Sequence, residues 1–200
     1  MTKNKANTKQ KLINTISEIL INEGFQKLGI NNVAEKAGVS KVLIYRYFGD
    51  FNGLIEAYAR QKEYWIKENN QLEKYFNSEN QSDFKQSIPK LFTDMFMNLI
   101  ENPDILEIKR WELYEKNHII ETIGKEIENI GVENISKISK ILNIKEETLQ
   151  EMSAIVLAGL YYLALRSKTT EYFNGINIQS EKGRERIIKA IETIFTKLIN

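Results

Sequence analysis

Three glycines, Gly24, Gly38 and Gly49, cut the first fifty residues into three short stretches that each repeat apolar residues at helical spacing. Leu12, Ile16, Ile19 and Leu20, widened by Ile13, give one face of a helix predicted over 9–23. Gly24 stands where a helix is expected to end. A second helix is predicted over 30–36, presenting Ile30, Val33, Ala34 and Ala37, with Gly29 at its cap. Gly38 breaks the chain again, Ser40 caps a third helix running to Phe48, and Gly49–Asp50 turn into a fourth. Two short helices joined by a glycine-containing turn, with a supporting helix before them, make a helix-turn-helix.

The rest of the chain reads as long helices: from Phe51 toward Phe76, 83–100, a shorter one restarting at Pro103, 118–142, 145–167 and 181–199, with a loop around Asn174–Gly175. Two prolines in 200 residues and sparse glycines favour such helices over a strand-rich fold. The fold class is therefore all-α. The expected organisation is a helix-turn-helix domain over 1–50 and a second helical domain over 51–200.

The absence of cysteine excludes disulfides, thiol catalysis and cysteine-based zinc sites, and the single histidine, His118, removes multi-histidine metal sites. The paired carboxylates Glu112–Glu115, Glu126–Glu128 and Glu146–Glu147 fall on polar faces with lysines nearby, as solvated charge does. No phosphate-cradling glycine loop or nucleophile motif occurs, so an enzyme is not expected and no cofactor is called for. The basic N-terminus has no apolar core behind it and is no secretory signal. The most apolar run, 155–165, is shorter than the roughly 20 residues of a membrane span, which points to a cytoplasmic protein.

The net charge of +1 conceals a division. Residues 1–62 carry ten Lys/Arg against five Asp/Glu, while the remainder carries eighteen against twenty-two. A basic first third on a mildly acidic body is what a nucleic-acid module requires. In the third helix, Val39, Ile44 and Phe48 share an inward side. Ser40, Lys41, Val42, Leu43, Tyr45, Arg46 and Tyr47 are left wholly or partly outside. Such a face fits the major groove: lysine reaches guanine acceptors, aliphatic carbons pack on thymine methyls, and tyrosine and arginine bind phosphate.

The stretch "ISEILINEGFQKLGINNVAEKAGVSKVLIYRYFGDFNGLIEAY" resembles the DNA-binding region of TetR-family transcriptional regulators. The resemblance is carried by Gly24–Phe25, Val33–Ala34, Ala37–Gly38–Val39–Ser40–Lys41, Tyr45, Tyr47–Phe48 and Leu54, and covers roughly the first 60 residues. It implies a repressor that binds a palindromic operator as a homodimer, through a four-helix bundle of the last two helices and their symmetry mates. It also implies a small-molecule effector whose binding moves the fourth helix and releases DNA. The family usually has Ser or Thr where this chain has Gly29, and Lys where it has Phe51. Gly29 is still expected to cap and contact phosphate through its backbone. An alternative is a helical interaction protein whose helix-turn-helix no longer binds DNA.

Along the last helix, Ile187, Ile191, Ile194 and Leu198 are expected to form a seam, joined by Ile188, Phe195 and Ile199. The helix before it is apolar nearly all round, which implies burial on more than one side. Trp65, Phe92, Phe96, Trp111 and Tyr114, with His118, Tyr161 and Tyr162, are the candidate lining of a largely apolar effector pocket.

Overall fold

The computed structural model describes residues 2–61, 76, 81–114, 116 and 118–199. Nine α-helices occur among them: α1 Thr2–Glu23, α2 Ile30–Lys36, α3 Val42–Phe48, α4 Phe51–Gln61, α5 Gln81–Glu101, α6 Pro103–Tyr114, α7 His118–Leu142, α8 Glu146–Arg166 and α9 Glu181–Ile199. A 3-10 turn, Phe25–Lys27, follows α1. The chain divides into two compact units, Met1–Tyr64 with Pro103–Lys125, and Trp65–Asn102 with Glu126–Asn200. The first is larger than the reading domain expected over 1–50, because α4 and α6 both pack on α1.

In that first unit the stripe of α1 does what its spacing dictates. Leu12, Ile16, Ile19 and Leu20 are buried against Phe25, Val33, Ala34, Ala37, Ile44, Leu54, Ile55, Tyr58, Trp111 and Ile120. Helix α1 starts seven residues before the expected Lys9, because its first turns carry no apolar stripe to announce them. Gly38 closes the turn between α2 and α3 with φ +60°. Its amide donates to the Glu35 carbonyl and that of Val39 to the Ala34 carbonyl, which ends α2 in a Schellman motif.

The second unit is built on α5, against which α8 and α9 pack. Phe84, Ile88, Phe92 and Phe96 recur every fourth residue along α5 and are all buried, as is Leu99. On α9 the buried residues are Ile187, Ile191 and Phe195, with Phe195 stacked on Phe92 at 4.1 Å between ring centroids. Ile194, three residues past Ile191 and seven past Ile187, flanks this buried row and is 39% exposed. The side chains of Leu198 and Ile199 lie outside the described residues. The expected loop at Asn174–Gly175 is a two-residue hairpin turn joining β1 Tyr172–Phe173 to β2 Ile176–Asn177. Both turn residues have positive φ, the Asn-Gly signature of a type I′ turn.

Helix α8 has 21 residues and a window of mean hydropathy 1.3, long and apolar enough by length and composition to cross a membrane. One such helix, whose apolar core is 155–165, is weak evidence of a membrane span, since core helices of globular chains pass the same test. Only 28% of that window is buried within the chain. The burial on more than one side expected of α8 is therefore not supplied by the chain's described residues.

Candidate nucleic-acid interface

Helix α3 is seven residues long and buries one residue fully, Ile44 at 0% exposure. Val39 and Phe48 are half-buried against the same core. On the opposite side Val42 is 63% and Tyr45 52% exposed, and Ser40, Lys41 and Arg46 are exposed as well. Leu43 and Tyr47 are half-buried, and Tyr47 packs against the core edge. The division follows from three- and four-residue spacing on a helix too short to bury two faces.

Each end of this helix is held by local chemistry. The Ser40 hydroxyl accepts a hydrogen bond from the Val42 amide at 3.3 Å, one residue outside the N-cap residue Lys41. Gly49, with φ +86°, ends α3, and its amide donates to the Tyr45 carbonyl. Asp50 then accepts from the Gly53 amide at 2.7 Å and starts α4. Gly29 is the N-cap of α2 with extended backbone, and its carbonyl accepts from the Val33 amide. Nothing lies within 4 Å of the place a side chain would take there.

The helix-turn-helix is tied to its support by Lys36, 2.6 Å from Glu23, and by Asn32, which donates to both Glu23 and the Lys27 carbonyl. The Lys36 hydrogen bond, followed by that of Asn32, holds the Glu23 carboxyl below its ordinary pKa. The reciprocal bond to Glu23 raises Lys36. The cations around α3 differ: Lys5, Lys11, Lys41 and Arg46, all exposed, and half-buried Lys9 form no ion pair with another described residue. Unneutralised cations beside a protruding helix suit a polyanion.

Behind the interface, buried Asp104 in the first turn of α6 accepts from the Ser17 hydroxyl at 2.5 Å and the Tyr58 phenol at 2.8 Å. One carboxyl group thus joins α1, α4 and α6. Burial, then the charge of Asp104, pushes the Tyr58 phenol well above its ordinary pKa. Pairing Ser17 with a residue 87 positions away leaves no local pattern in the sequence.

The candidate pocket residues fall in different places. Trp65 lies outside the described residues, and His118 begins α7 with its side chain outside them. Trp111 stacks on Phe25 at 5.9 Å, and Tyr114, largely exposed, meets the same ring at 5.3 Å. In the second unit Phe92 and Phe96 are buried one turn apart on α5, Tyr161 is half-buried, and Tyr162 meets Phe173 edge-on. Among the described residues no group of three or more metal-ligating side chains gathers.

Residues 12–58 match the family model described as bacterial regulatory proteins, tetR family. That segment, about the first quarter of the chain, is similar to the DNA-binding part of tetR-family regulators. The HTH-type transcriptional regulator BetI of Proteus mirabilis (strain HI4320) is 43% identical over 58 residues, and the match spans 29% of each chain. Beyond that segment the likeness is one of fold. FadR from Bacillus subtilis, solved in complex with stearoyl-CoA, superposes with a TM-score of 0.67 at 14% identity, covering 96% of this chain and 99% of its own. NalD, the secondary repressor of the MexAB-OprM multidrug efflux pump in Pseudomonas aeruginosa, gives 0.64 at 15% identity, with 94% and 95% covered. Over nearly its whole length the chain thus shares the fold of these two regulators.

Proposed function

We propose that the chain is a ligand-responsive transcriptional repressor that binds a palindromic operator as a homodimer. The observation that carries this is the outward face of α3, where Lys41, Val42, Tyr45 and Arg46 stand exposed with neither cation in an ion pair with a described residue. Lys41, Val42 and Leu43 read base edges, Tyr45, Tyr47 and Arg46 hold phosphates, and Ser40 with the backbone at Gly29 sets the register.

Dimerisation is assigned to α8 and α9, within about 145–167 and 181–199. Ile155, 71% exposed, and Tyr162, 50% exposed, share a face of α8 with Ala158 and Gly159, and Ile194 is bare on α9. Small residues beside bare apolar ones permit close approach of a second helix pair. A two-fold dimer spaces the reading helices about 34–36 Å apart, one helical turn of DNA. The effector is a largely apolar small molecule received in the second unit, beside Phe92, Phe96, Tyr161 and Tyr162. The shared fold with a regulator that holds stearoyl-CoA supports that class.

Selection from random duplex DNA tests the proposal, and an enriched palindrome is expected. Lys41→Ala and Tyr45→Ala are each expected to weaken binding to it by about tenfold or more, with helicity unchanged. Undiminished binding by both variants removes α3 as the reading helix. Recovery of no palindrome favours an interaction protein instead.

A further inference from the structure

We infer that the first turns of α1 form a second phosphate clamp, in which Lys5 and Lys9 are held beside the reading helix by the rings of Tyr47 and Phe48. The inference rests on the DNA-binding function proposed above. The Lys5 ammonium lies 5.7 Å from the centroid of the Tyr47 ring, and that of Lys9 lies 5.3 Å from the centroid of Phe48. Lysines five and nine are one helical turn apart, so they share a face of α1. That face meets the C-terminal end of α3, while the Lys11 ammonium sits beside Gly38 in the turn before α3.

Charge in this segment is arranged against helix stability. Helix α1 has no acidic residue in its first turn and none before Glu18, although the helix dipole favours acids there and disfavours lysine. Neither Lys5 nor Lys9 is neutralised by another described residue. Lys5, kept in the first turn where it opposes the dipole, and Lys9, left without an ion pair to a described residue, are both oriented by aromatic faces and answer to a partner outside the fold. A flexible lysine ordinarily loses rotamer freedom on meeting a phosphate, and the rings remove part of that loss beforehand. The clamp also supplies cations to an interface in which Gly29 carries no hydroxyl and Phe51 no charge.

The test compares the full-length chain with Lys5→Gln/Lys9→Gln and Lys5→Arg/Lys9→Arg, titrated against operator and unrelated duplex at several salt concentrations. The glutamine pair is expected to bind both duplexes on the order of tenfold more weakly, and to reduce the slope of log affinity against log salt by about 1.8. The preference for operator over unrelated duplex is expected to persist, because phosphate contacts carry no sequence information. The arginine pair is expected to restore affinity and slope. A glutamine pair with wild-type affinity and slope overturns the clamp while leaving the DNA-binding function standing. A wild-type chain that binds neither duplex overturns both.

Discussion

Asp104 shows how much a single side chain organises here. Three helices meet at its carboxyl oxygen through Ser17 and Tyr58, and no pattern of neighbours marks it as more than an acid in a first turn. Tyr58→Phe removes one of those bonds and is expected to cost about 1.5–3 kcal/mol, the range for a hydrogen bond to a charged acceptor. It also alters alkaline stability. The folded state holds the phenol proton more tightly than the unfolded chain does, by burial first and by the charge of Asp104 second. This contribution is fully present below the unfolded phenol pKa of about 10 and is lost as pH rises toward the higher folded value. The wild-type melting temperature is therefore expected to drop as pH climbs past about 10, and that of Tyr58→Phe to drop less. Identical alkaline slopes in thermal melts of the two proteins count against this assignment.

At the scale of elements, legibility tracked periodicity. Helices α2, α7 and α9 coincide with their sequence-based bounds because apolar stripes and caps mark both ends. The start of α1 and the hairpin lack stripes and escaped the same reading, although Asn174–Gly175 carries a known turn signature. The partition of α3 into one buried and one open side was legible, being a property of one helix. The contacts of Lys5, Lys9 and Asp104 were not, because they join elements distant in sequence. Gly53 belongs to this class. Within α4 it looks like a helix-weakening residue, yet a methyl group there would sit 2.0 Å from the Phe48 carbonyl oxygen. Its bare backbone lets α4 start tight against the end of α3. Gly53→Ala is expected to cost at least about 1–3 kcal/mol, the range of overpacking, and to displace the reading helix. Calorimetry would reveal a melting temperature unchanged from wild type if the junction were looser than described.

For the whole molecule, the open question of packing is what covers α8. Its bare side and the exposed Ile194 of α9 are the surfaces that the proposed homodimer would cover. Ile155→Glu puts a charge at the most exposed point of that face and leaves the buried row Leu149, Ser153, Leu160 and Ala164 untouched. A folded monomer is expected, distinguishable from the wild-type dimer by light scattering coupled to gel filtration, with operator affinity lowered by the loss of paired half-sites. An unchanged mass moves the interface elsewhere. The stacking of Trp111 on Phe25 has a practical side. The chain has two tryptophans, and Trp111 is the one that lies among the described residues. With Trp65 replaced by phenylalanine, the remaining indole is a built-in optical probe of the first unit. Its emission during DNA or effector titration would then report on that unit alone, without any attached dye.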